Sequence, residues 1–194
     1  MMIDKNEATA IASHYISISM LQSDEEWILN EPATIEKSYG WVFFCGSRHH
    51  LESYESDENP VGAPFLVKRE NGEVLWFGGY DVEWILKGYE LGFQCHIGDL
   101  TVTHVRDIEQ TARYLNQLRL YNIIPELAYG VEWRIPQYYD LQQIKTLLRT
   151  VPVTFSNARI LTEYETLYQM RASNCCRYEI REIRQDQLPI KSSQ

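Results

Sequence analysis

The chain has 194 residues, 44% of them hydrophobic, 23% charged and 12% aromatic, which suffices for one domain or two small ones with a sizeable core. Its formal net charge of −9 disfavours non-specific binding to nucleic acid or to an anionic membrane and favours basic partners. No apolar run approaches the roughly 20 residues of a membrane helix, and no N-terminal segment has the order of a secretory leader. The four cysteines therefore read as reduced thiols in a cytoplasmic protein.

In chain order, Asp4-Lys5-Asn6-Glu7 is an aspartate form of the capping box and predicts a helix from there. Ala8, Ile11, Ala12, Tyr15 and Ile18 give that helix one apolar stripe, suited to lying on a sheet, with His14 off the stripe. Asp24-Glu25-Glu26 marks a turn. A strand is expected around Ala33–Ile35, beginning at Pro32 or lying at an edge because proline lacks a ladder donor.

Tyr39-Gly40-Trp41-Val42-Phe43-Phe44 is dense in aromatic and β-branched side chains and predicts a central strand. Pro64 to Arg69 and Val74 to Phe77 flank Glu70-Asn71-Gly72-Glu73, the strongest hairpin signal in the chain. Between these strands, Arg48 to Ala63 reads as a long acidic loop. Asp81 caps a short helix with Val82, Ile85, Leu86 and Tyr89 on its buried side.

Residues 1–95 hold 6 Lys and Arg against 16 Asp and Glu, whereas residues 96–194 hold 12 against 11. The net acidity thus sits in the first half, and a module boundary is expected in the glycine-bearing stretch near residue 95. Beyond it, strands are expected at Leu100–His104, Ala128–Ile135 and, as a strand or connector, Val151–Phe155. Helices are expected at Asp107–Leu120 (Ile108, Thr111, Leu115 and Leu118 on one face), Tyr138–Arg149 and residues 159–171. From Cys175 to Ile183, Cys176, Tyr178 and Ile180 alternate with Arg177, Glu179 and Arg181, the period of a half-buried strand. The expected fold class is α+β. An N-terminal helix packs on an antiparallel sheet of about four strands over residues 1–95, and a second α+β module follows over residues 96–194.

Two surfaces stand out for partner binding. The first is the loop group Glu52, Tyr54, Glu55, Asp57 and Glu58, where carboxylates would steer a basic partner and Tyr54 would anchor it. The second is the outward row Arg177, Glu179 and Arg181. Catalytic chemistry would have to come from Cys45 with His49 or His50, or from Cys95 beside His96, since a thiolate needs a nearby base. A cysteine continuing an aromatic strand is more commonly buried and inert. The same residues are chemically suited to zinc but lack closely paired knuckles, and adjacent Cys175 and Cys176 point to opposite faces of a strand. No phosphate-binding glycine loop, nucleophile elbow or metalloprotease helix is present, so no catalytic residue, metal or cofactor is assigned.

Residues 4–90 resemble the immunity protein 35 family of bacterial polymorphic toxin systems. The resemblance rests on Gly40-Trp41-Val42-Phe43-Phe44, Leu51-Glu52, Gly62-Ala63-Pro64-Phe65-Leu66-Val67-Lys68-Arg69, the Asn71-Gly72 turn and the Asp81 to Tyr89 helix. It implies a non-catalytic inhibitor that binds a toxin domain made by the same cell; the C-terminal half falls outside the pattern. A small Cys/His hydrolase and a non-toxin adaptor are the alternative readings.

Overall fold

The computed structural model describes residues 2–20, 23–53, 62–77, 80–128 and 131–183. The fold is α+β, with helices and antiparallel sheets, and the chain divides into two compact units, Met1–Ile85 and Leu86–Gln194.

The first unit opens with α1, Lys5–Ser19, entered through the expected capping box. Glu7 N–H donates to Asp4 Oδ1 and Asp4 N–H donates to Glu7 Oε2, both at 2.9 Å. Ala8, Ala12 and Ile16 are its buried residues, and Ile18 is 54% exposed, against the expectation that Ile18 faces the core. At about 100° per residue, Ile16 lies roughly 40° from Ala12 around the helix and Ile18 roughly 120° away. The buried face follows the four-residue steps, and Ile18 falls outside it.

Five strands form the sheet of this unit: β1 (Trp27–Leu29), β2 (Ile35–Lys37), β3 (Gly40–Ser47), β4 (Ala63–Lys68) and β5 (Val74–Trp76). Their order is β1-β3-β4-β5, with β2 also paired to β3, and every pairing is antiparallel. Pro32 sits in a single 3-10 turn, Glu31–Ala33, so the expected strand starts later, at Ile35. β3 is buried along its whole length, as its aromatic content predicts. Trp41, Phe43 and Cys45 alternate onto the face that meets Ala8, Ala12 and Ile16 of α1, with Phe65 and Val67 of β4 beside them.

The Asn-Gly signal marks a real hairpin between β4 and β5, with a four-residue loop that begins one residue earlier than Glu70. Lys68 N–H donates to Glu73 O at 2.9 Å, closing residues 69–72, and Gly72 alone takes the left-handed conformation, with φ 73°.

The stretch read as a loop from Arg48 begins instead as a short helix, α2, Arg48–Ser53. α3, Val82–Glu90, starts where expected: Trp84 N–H donates to Asp81 Oδ1 at 2.8 Å.

The second unit is built on a three-stranded antiparallel sheet, ordered β10-β6-β9, from β6 (Ile97–Val105), β9 (Val153–Arg159) and β10 (Cys176–Glu182). Helices α4 (Ile108–Gln117), α5 (Leu141–Leu147) and α6 (Tyr164–Ala172) complete it. Leu100, Val102, Ala112, Leu115, Ile144, Phe155, Leu167 and Met170 are buried in this unit. Asp107 caps α4 through Gln110 N–H, and Asp140 forms a second capping box with Gln143. That cap starts α5 at Leu141, later than the expected Tyr138.

The largest difference from expectation lies between α4 and α5. The single strand expected over Ala128–Ile135 is a two-stranded antiparallel ribbon, β7 (Tyr121–Ala128) and β8 (Val131–Tyr138), a sheet of its own. Tyr129-Gly130, within the span read as one strand, lies outside the described residues.

Candidate partner-binding surface

Tyr54, Glu55, Asp57 and Glu58 lie outside the described residues. Glu52 is on α2 and is engaged: its Oε1 accepts from Arg48 Nη1 at 3.1 Å, one helical turn away. Arg48 also grips Glu26 with Nε and Nη2, both at 2.8 Å, a forked pair that holds the Glu26 carboxyl below its usual range. One guanidinium thus serves two carboxylates, and Glu52 is not a free charge awaiting a partner.

Arg177, Glu179 and Arg181 are exposed along β10 while Cys176 is buried and Tyr178 turns inward to donate its hydroxyl to Leu167 O at 2.8 Å. The alternation is therefore as the sequence implies. Arg181 Nη2 donates to Asp99 Oδ2 at 2.6 Å across the β6 pairing, and Thr101 and Thr154 share a 2.9 Å hydrogen bond. Of the three, Arg181 is committed within its own sheet through Asp99.

The cysteines are buried. Cys45 is fully enclosed in β3, its Sγ donates to Ala63 O at 3.5 Å, and burial pushes its thiol up to about 11. Burial likewise pushes Cys176 up to about 12. Both shifts oppose the thiolate that nucleophilic catalysis requires. Burial lowers the His96 imidazole, whose Nε2 has no hydrogen-bond partner among the described residues. Also among the described residues, no group of three or more His, Cys, Asp or Glu is placed to hold a metal ion, and no helix is long and apolar enough to cross a membrane.

The ribbon was missed by sequence reasoning, and it carries the most exposed apolar surface of the described residues. Trp133 is 55% exposed, Val131 54%, Leu127 77% and Ile135 43%. Register explains how they group. Ile124 faces Ile135 and Glu126 faces Trp133, with Val131 further along, on one face; Ile123 faces Pro136 and Pro125 faces Arg134 on the other. A two-stranded ribbon with both faces open gains little stability from burial, so these side chains do little for the fold. Apolar clusters of this kind mark interaction surfaces.

The edges of the ribbon carry a second message. Pro136 has no N–H, so its pair with Ile123 exchanges no ladder hydrogen bonds. The two-residue alternation then places Pro125 in the same class of pair. At such positions an N–H would point outward from the edge. Each outer edge therefore has a proline where an added strand would seek a donor, a device that blunts edge pairing. The ribbon is suited to docking by its faces.

Its base is fixed to the body of the second unit. Tyr139 N–H donates to Leu120 O at 3.0 Å, and the Tyr139 ring meets Phe155 edge-on at 5.6 Å. Tyr121 and Tyr138, the first ribbon pair, meet edge-on at 5.7 Å. They also line a cleft of about 120 Å³ with Arg119, Asn157, Arg159 and Glu163.

Two backbone irregularities shape this cleft. Arg119 follows the last turn of α4 in the left-handed conformation, φ 50°, a place usually taken by glycine or asparagine. In β9 the register shifts opposite Gly98–Leu100, leaving Ser156 and Asn157 against Asp99 alone, and Asn157 has φ 60°. That is a bulge, which re-aims the residues after it. A non-glycine left-handed residue costs about 1 kcal/mol, and two of them converge here. The Glu163 carboxyl is raised by burial, which the charges of Arg159 and Arg119 oppose.

No family model, curated protein or solved structure matches this chain.

Proposed function

We propose that this chain is an immunity-type inhibitor, which binds a cognate bacterial toxin domain by direct contact in the cytoplasm of the cell that makes both. The observation that carries the reading is the β7–β8 ribbon. It is an exposed apolar element anchored at its base, with proline-blunted edges and an exposed tryptophan toward its far end. The resemblance of residues 4–90 to the immunity protein 35 family supplies the class of partner. The acidity of the first half suits a toxin with a basic surface. Cys45 and Cys176, buried and held as thiols, give no support to a cysteine hydrolase.

The test is co-expression with the toxin domain encoded beside this chain in its source genome. The tagged chain is expected to protect the cells and to purify as a stoichiometric complex with the toxin. Protection without any co-purifying toxin would contradict inhibition by binding.

A further inference from the structure

The cleft at the ribbon base has a chemistry of its own. Arg119 and Arg159 are exposed at its mouth, and neither guanidinium makes an ion pair or side-chain hydrogen bond with the described residues. Arg119 lies over the Tyr138 ring, 5.7 Å from its centroid. The third charged group, Glu163, is half-buried. The bulge at Asn157 places Arg159 on the cleft, and the left-handed turn at Arg119 brings the second guanidinium to the same space. Glycine would take the Arg119 backbone conformation without strain.

We propose that this cleft is an oxyanion site that takes a carboxylate, presented by an aspartate or glutamate side chain of the protein that docks on the ribbon. The shape and charge fit that chemistry. Two guanidiniums offer forked donors that match a planar carboxylate, and about 120 Å³ admits a side-chain terminus rather than a nucleotide or a sugar. Because Tyr121 and Tyr138 belong both to the cleft and to the ribbon, a partner on the ribbon reaches the cleft without leaving its surface. The macromolecular source of the carboxylate rests on the proposed inhibitor reading; the oxyanion site itself does not. Glu163 is the built-in competitor, and its negative charge weakens capture of a second anion.

The test needs no partner. The guanidinium Nε–Hε signals of the full chain are followed by NMR while propionate, the analogue of a glutamate side chain, is titrated against matched chloride. Inorganic phosphate is titrated separately. Saturable shifts at Arg119 and Arg159 with propionate are expected, and Arg119→Gln with Arg159→Gln should abolish them. Glu163→Gln should tighten propionate binding about threefold to tenfold, the effect of removing one nearby charge at a partly solvated site. Arg119→Gly separates binding from folding: the melting temperature should hold or rise while the propionate response is lost. Absence of a saturable response to propionate, or a response unchanged in the double arginine variant, overturns the site. A response to phosphate alone overturns the carboxylate assignment. Failure of the co-purification described above would leave these shifts unaffected, so the two readings fail separately.

Discussion

Cys45 shows how burial decides what a side chain can do. Enclosed in β3, its thiol titrates near 11, so at neutral pH it is protonated and shielded. The thiol-specific reagent DTNB at pH 7.5 is expected to leave Cys45 unmodified in the native chain and to react fully once urea unfolds it. Prompt labelling of native Cys45 would contradict its burial. The shift also has a stability consequence. A thiol whose folded value is raised favours folding fully below the unfolded value near 8.5, and that contribution is lost as pH climbs through about 11. Cys176, raised to about 12, acts in the same direction. The urea midpoint should therefore fall between about pH 9 and pH 11, and Cys45→Ala should flatten that fall. Gly40 is a second residue with a single physical requirement. A Cβ there would collide with the Val67 carbonyl oxygen of the paired strand, which cannot swing aside as a flexible side chain would. Gly40→Ala is expected to cost about 3 kcal/mol by urea denaturation.

Among elements, the ribbon separates folding from binding most clearly. Trp133→Ala should change stability by less than about 0.5 kcal/mol, because the side chain is more than half exposed. Replacing Pro125 and Pro136 with valine restores the outward donors on both edges, and the variant is expected to self-associate on size-exclusion chromatography where the parent does not. An unchanged elution volume would mean that the edges are protected by something other than proline. The contrast between α1 and this ribbon also shows what can be read from sequence. The α1 start was legible because a capping box is local: Asp4 and Glu7 bond each other's backbone and need nothing else from the chain. The aromatic β3 and its hairpin neighbours were legible because burial on a sheet leaves a dense apolar run. The ribbon was not. Pro125 and Pro136 argue against central strands and do not identify an isolated one, and nothing in the spacing of Ile123, Ile124, Trp133 and Ile135 shows that both faces of the ribbon are open. The cleft was less legible still, since Arg119 and Arg159, 40 residues apart, come to it through a helix terminus and a bulge, and neither leaves a periodic signal.

At the scale of the whole molecule the dominant fact is an acidic first half joined to a nearly neutral second half that carries the ribbon. Exposed charge of one sign accelerates encounter with a partner of the other and is screened over roughly 8 Å at physiological ionic strength. If the partner is the proposed toxin domain, association with it is expected to slow about tenfold or more as salt rises from dilute to high, while dissociation changes little. Dissociation should be set by the apolar contact. The most direct measurement is thus the equilibrium affinity of the purified chain for the purified toxin domain, compared with the Trp133→Ala variant under identical salt. The account predicts tight binding by the parent chain and a loss of about a hundredfold in the variant, nearly all of it in the dissociation rate, with thermal stability unchanged. Equal affinity of the two proteins would contradict the proposal that the ribbon captures a toxin.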